Sequence, residues 1–248
     1  MSLATVIIPT RFESTRFPGK VLADRTGKPL IEHVYERASQ AKLVSDVIVA
    51  TDDERIIDAV EKFGGKAVLT RSDHPNGTSR IAEIAVDIAA DLIVNVQGDE
   101  PEIQPEHIDL AISTLNDHES SVMATIASPF ADDEDPADPN IVKVVVGGDG
   151  SALYFSRSLI PYDRDGKSKL RPLKHIGLYV YRKEFLLKYV SLPATDLEQT
   201  EKLEQLRVLE HGYKIAVAIA NVKYHGIDTL QHYQAFVERY RESQRTAP

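Results

Sequence analysis

Short apolar, β-branched runs alternate with stretches of helical period through the first half of the chain. Residues 5–8 (TVII), 47–51 (VIVAT), 66–70 (KAVLT) and 91–96 (DLIVNV) read as strands, the first buried and the last central. Pro9 cannot donate to a ladder, so the first strand is expected to stop there. Residues 29–41 place Leu30, Val34 and Ala38 on one face with Ile31 and Tyr35 beside them, and residues 55–63 form a second helix closed by Gly64 and Gly65. A third stripe starts at Ile81, Ile84, Ala85 and Ile88. Strands alternating with helices imply an α/β fold, Rossmann-like, with a mostly parallel sheet, right-handed crossovers and helices on both faces.

The pattern changes after a helix at 105–115 and a strand at 122–127. An acidic, proline-broken loop at 132–139 (DDEDPADP) reads as a solvated linker. Strand-like runs at 141–146 and 152–156 flank Gly147-Gly148-Asp149-Gly150, which predicts a hairpin and therefore antiparallel β structure. In the strand at 175–181 the two-residue period puts His175, Gly177, Tyr179 and Tyr181 on one side. One helix is expected over 196–210 with Leu203, Leu206 and Leu209 inward, then a strand at 214–220. A final helix carries Leu230, Tyr233, Phe236, Val237 and Tyr240 on one stripe, and the tail after Ser243 is expected to be disordered. The whole chain, 1–248, reads as one domain, with the antiparallel part at about 141–185.

Composition removes several function classes. There are 29 basic and 38 acidic residues, a net charge of −9, which disfavours a nucleic-acid partner. Absence of cysteine excludes disulfides, zinc–thiolate sites and thiol nucleophiles. No leader pattern and no apolar run of membrane-spanning length is visible, so a cytoplasmic protein without a membrane partner is expected.

The candidate chemistry lies in the loops. Arg11, Arg16 and Lys20 follow the first strand, with Pro18 and Gly19 breaking the backbone between them, an arrangement suited to holding anions at the carboxyl edge of a sheet. The segment 71–80 (RSDHPNGTSR) precedes a helix, so amides near Gly77 and the Thr78 hydroxyl are placed to meet a ligand at a helix N-terminus. After the most apolar strand come Gln97, Gly98 and Asp99, and Asp99 is a hard oxygen donor suited to Mg²⁺. Asp228 stands where the N-cap of the last helix belongs, and capping is its better explanation from the residues alone. Basic groups for a triphosphate and two carboxylates for Mg²⁺ suit phosphoryl or nucleotidyl transfer. Neither G-x-x-x-x-G-K-[ST], G-x-G-x-x-G nor G-x-S-x-G occurs, so a P-loop enzyme, a dinucleotide dehydrogenase and the commonest serine hydrolase are unsupported.

Several segments carry a resemblance: VIIPTRFESTRFPGK ending at Lys20, ATDD at 50–53, VNVQGDEP at 94–101, ALYFSR at 152–157, PYDRD at 161–165, HIGLYVYR at 175–182 and LEQLRVLEHG at 203–212. Together they resemble the 3-deoxy-manno-octulosonate (KDO) cytidylyltransferase family over nearly the whole chain. The resemblance implies a fold of the nucleotide-diphospho-sugar transferase type and a reaction of CTP with KDO, giving CMP-KDO and pyrophosphate for lipopolysaccharide synthesis. It implies that Arg11 and Lys20 hold the CTP phosphates, that Arg71, Gly77, Thr78 and Gln97 help seat the nucleotide, and that Asp99 and Asp228 are the Mg²⁺ ligands. Arg16, Gln97, Arg157, His175, Tyr179, Glu204 and Gln205 resemble the sugar-side residues. A homodimer joined through the antiparallel part is implied as well. Asn76, Ser79 and Thr10 depart from the family pattern, which favours a small residue, an acid and alanine at those places. A related synthetase acting on another acid sugar, such as 8-amino-KDO or a sialic acid, and a non-catalytic nucleotide-sugar binding module stay open as alternatives.

Overall fold

The computed structural model describes residues 4–13, 16–224 and 226–246. One sheet runs through the molecule in the order β3-β2-β1-β4-β8-β5-β9. Its strands are β1 (Ala4–Thr10), β2 (Val44–Thr51), β3 (Lys66–Leu69), β4 (Leu92–Asn95), β5 (Ser121–Pro129), β6 (Lys143–Val146), β7 (Ala152–Ser156), β8 (Leu173–Arg182) and β9 (Lys214–Ile219). Along this path the only antiparallel strand is β8, which pairs with β4 on one side and β5 on the other. The β6–β7 hairpin continues from β8. The antiparallel segment expected at about 141–185 is thus built into the main sheet through its last strand.

The helices are α1 (Leu30–Ser39), α2 (Glu54–Lys62), α3 (Gly77–Ala85), α4 (Pro105–Asp117), α5 (Lys183–Tyr189), α6 (Asp196–Glu201), α7 (Gln205–Glu210) and α8 (Leu230–Thr246). Alternation along β1 sends Val6 and Ile8 into a core with Ile31 and Val34 of α1 and Ile112 of α4, while Ile7 joins Ile81 of α3 and Leu186 of α5 on the opposite face. A separate cluster of Leu30, Ile227, Tyr233 and Phe236 docks α8 beside the start of α1.

Four elements depart from the sequence expectation for identifiable reasons. The first strand does not stop at Pro9. Ile7 O accepts from Val96 N, so Pro9, two residues on, turns its nitrogen to the same flank, where the β1–β4 ladder has ended at the Ile7–Asn95 pair; no ladder bond is lost there. The single helix expected over 196–210 is two helices, because Lys202 takes a left-handed conformation (φ 55°). A bidentate pair spans the break, with Arg207 Nε and Nη2 both 2.6 Å from the Glu198 carboxylate. The tail expected to be disordered continues α8 through Thr246, and Ala247 and Pro248 lie outside the described residues. Helix α5, which the sequence reading missed, packs Phe185, Leu186 and Tyr189 into the core.

Candidate active site

Everything that positions the site lies at the carboxyl edge of the parallel strands. The loop leaving β1 carries Arg11, Arg16 and Lys20, with Lys20 opening a short 3-10 turn. The loop leaving β4 carries Gln97, Gly98, Asp99 and Glu100. Gly98 is required there: a Cβ at this position would overlap the Cγ2 of Thr10, which fills the space beside it. Helix α3 aims its N-terminus at the same edge. Asn76 Oδ1 accepts from Ser79 N at 2.8 Å and Ser79 Oγ donates to Asn76 O at 2.9 Å, so the two residues that depart from the family pattern form the cap that starts this helix.

Two cavities open side by side. The smaller, of about 400 Å³, is lined by Arg11, Arg16, Lys20, Asp99 and Asp228, together with the α3 entry at Asn76 and Gly77. The larger, of about 480 Å³, is lined by Thr78, His175, Tyr179, Glu204 and Gln205, and by Glu100 and Asn95. Gly77 and Gln97 line both.

Lys20 organises the smaller cavity. Its Nζ donates to Asp99 Oδ2 at 2.6 Å and to the Ile227 carbonyl at 2.8 Å, and lies 3.8 Å from Asp228 Oδ1. Arg16 Nη2 donates to the same Asp228 oxygen at 2.7 Å. Asp228 is not the helix cap that the residues alone favoured: Thr229 Oγ1 accepts from His232 N at 3.2 Å, one position later, which leaves the Asp228 carboxylate to the cavity. Among the described residues no cluster of three or more His, Cys, Asp or Glu side chains could hold a metal ion by itself. Two carboxylates from distant segments converge on one ammonium, and as hard oxygen donors Asp99 and Asp228 are the residues that could hold a divalent cation.

The larger cavity is built from β8 and the start of α7. His175 Nε2 lies 3.0 Å from Thr125 Oγ1, and burial pushes its pKa down to about 3, so the ring is neutral. Tyr179 lies beside His175 with ring centroids 5.4 Å apart, and its hydroxyl donates to Gln205 Oε1 at 3.4 Å. Burial raises the Tyr179 pKa, so the phenol keeps its proton. Glu204 accepts from Thr78 Oγ1 at 2.7 Å, and burial raises its pKa as well. Glu100 is pushed up to about 8, first by burial and then by the neighbouring Asp99 charge.

Some candidates sit elsewhere than expected. Thr78 faces the larger cavity, away from the phosphate-side residues. Arg71 lines neither; it is exposed, with Nε 3.6 Å from both Asp73 and Glu83. Arg157 lines neither and is held by backbone, donating from Nε to Glu201 O at 2.7 Å and from Nη1 to Pro139 O at 3.0 Å. Other charged or titratable residues also line the smaller cavity, Arg80 and His74 among them. Arg80, paired with Asp52 at 2.7 Å, and His74, against Glu83, both sit in the segment 71–80 that a turn pattern alone marks.

A family model described as cytidylyltransferase matches residues 5–215. A 3-deoxy-manno-octulosonate cytidylyltransferase of Geotalea daltonii is 50% identical, with 96% of this chain and 98% of that protein covered. One from Pelobacter propionicus is 51% identical, over 97% and 98%. A solved structure of CMP:2-keto-3-deoxy-manno-octonic acid synthetase complexed with CTP superposes with a TM-score of 0.93 at 43% identity, covering 98% of this chain and all of that one. Sequence, fold and site together assign the chain to the 3-deoxy-manno-octulosonate cytidylyltransferase family.

Proposed function

We propose that this protein transfers the cytidylyl group of CTP to KDO, giving CMP-KDO and pyrophosphate for lipopolysaccharide synthesis. The observation that carries this reading is the meeting of Asp99 and Asp228 at Lys20, beside a second, polar cavity that shares Gln97 and Gly77 with the first. CTP is assigned to the smaller cavity, where Arg11, Arg16 and Lys20 offset phosphate charge, and the acid sugar to the larger.

In the reaction the anomeric oxygen of the sugar bonds to the α-phosphorus, the bond from that phosphorus to the bridging oxygen breaks, and the hydroxyl proton passes to solvent. Catalysis is positioning and charge stabilisation. Arg11 and Lys20 stabilise the departing pyrophosphate. His175, neutral and held by Thr125, and Tyr179, protonated and held by Gln205, offer the sugar fixed uncharged polar groups. Asp99 and Asp228 would hold Mg²⁺, which supplies Lewis-acid neutralisation of triphosphate charge.

No helix among the described residues is long and apolar enough to cross a membrane, and the reading places the enzyme in the cytoplasm. It acts as a homodimer through the antiparallel segment, where Leu153, Leu159, Tyr162 and Leu170 are exposed. Pyrophosphate release with Mg²⁺, each of four nucleoside triphosphates and a panel of acid sugars tests the function. Release with CTP and KDO is expected; silence, or release only with a different sugar, contradicts it.

A further inference from the structure

Asp99 and Glu100 are consecutive, yet they line different cavities: Asp99 the smaller, Glu100 the larger. The backbone between Gln97 and Glu100 is therefore the seam across which the two substrates meet. Asp99's carboxylate receives the Lys20 ammonium, whereas Glu100 Oε2 is sealed from solvent and has no hydrogen-bond partner among the described residues. Leaving a buried acceptor unpaired is costly, and folded proteins keep few such groups.

Two glycines stand next to the Glu100 side chain. Gly177 faces Glu100 from β8, and a Cβ there would still stand 3.8 Å from Oε1. Gly226 faces it from the other side, with a Cβ position 3.9 Å from Glu100 Cγ. Two residues without side chains thus flank one acidic side chain that lines the larger cavity, next in sequence to Asp99 of the smaller.

We propose that Glu100 is a sugar-orienting residue, whose carboxyl oxygen accepts a hydrogen bond from a substrate hydroxyl and thereby sets the reacting end of the sugar at the seam. This rests on the assignment of the larger cavity to the sugar. The role asks only for an acceptor oxygen.

The test compares Glu100→Met, which keeps volume and removes the acceptor, with Glu100→Gln, which keeps one. Steady-state kinetics are measured with KDO and with analogues each lacking one hydroxyl. Glu100→Met should lower kcat/KM for the sugar at least about tenfold, with the KM for CTP and the Mg²⁺ dependence unchanged, while Glu100→Gln recovers part of the loss. The decisive readout is the analogue series. One hydroxyl deletion that penalises the wild type should carry no penalty in Glu100→Met, a pattern that a purely structural role would not produce. The inference is overturned if every deletion costs both proteins the same, or if the sugar and CTP parameters shift together. Should Glu100→Met fail to fold, the same series on Glu100→Gln decides, through a reduced penalty at that one hydroxyl or an unchanged one. A wild type inactive on KDO would instead defeat the underlying assignment, so the two failures are distinguishable.

Discussion

Lys20 and Asp99, 79 positions apart in sequence, meet at 2.6 Å, and the same ammonium reaches the Ile227 carbonyl. One side chain thereby clasps the loop after β1, the loop after β4 and the approach to α8. In Lys20→Met both the clasp and a cation facing the pyrophosphate are gone, and kcat should fall by about 10²-fold or more. Turnover assays, with circular dichroism to confirm the fold, check this; near wild-type kcat would remove Lys20 from the chemistry.

Asp228 and Thr229 are neighbours with separable duties. Thr229→Ala removes the cap on α8 and should cost about 1 kcal/mol of stability with turnover largely kept. Asp228→Ala should abolish turnover with little change in Tm, because its carboxylate is half exposed and caps nothing. Parallel melting and activity measurements on the two variants decide. Equal stability losses would mean that both residues serve the helix.

Acid sensitivity should come in part from His33. It is buried, lies against Thr26 Oγ1, and burial pushes its pKa down to about 4 from the ordinary histidine value of about 6.5. Between those values the unfolded chain binds the proton and the folded one does not, so the stability is complete above about pH 6.5 and is lost as pH falls towards 4, roughly 3 kcal/mol in all. His175 acts in the same direction. The Tm of the wild type should therefore drop over this window more steeply than that of His33→Gln. Superimposable pH profiles would contradict the assignment.

The homodimer reading makes the exposed side chains of the antiparallel segment its contact. Tyr162 is 84% exposed and Leu170 67% in the single chain. A double substitution, Tyr162→Glu with Leu170→Glu, should move the mass measured by light scattering from twice the chain mass to the chain mass. An unchanged dimer, or a monomeric wild type, would contradict it.

The parallel half was legible because each strand is an apolar run and each helix has its own stripe, so local pattern and tertiary role coincide. The break at Lys202 was not: Leu203, Leu206 and Leu209 continue a helical period across it, and nothing local marks a lysine that will be left-handed. That break opens α7 at Gln205 directly after Glu204, and both residues line the larger cavity. Asp228 looked like a cap because it precedes a helix by two positions, and only the structure shows Thr229 taking that duty. Thr10, without an explanation in the sequence, fills the space left by Gly98. Nothing in the sequence marks Glu100, because the unpartnered state of its Oε2 has no signature in one dimension.

In the proposed reaction Asp99 and Asp228 together hold one divalent ion beside a bound triphosphate. Electron paramagnetic resonance of Mn²⁺ titrated into the protein saturated with CTP tests it most directly, on the wild type, Asp99→Ala and Asp228→Ala. One protein-dependent Mn²⁺ is expected in the wild type, beyond what CTP binds alone, and its loss in each variant. Undiminished Mn²⁺ binding in both variants would contradict it.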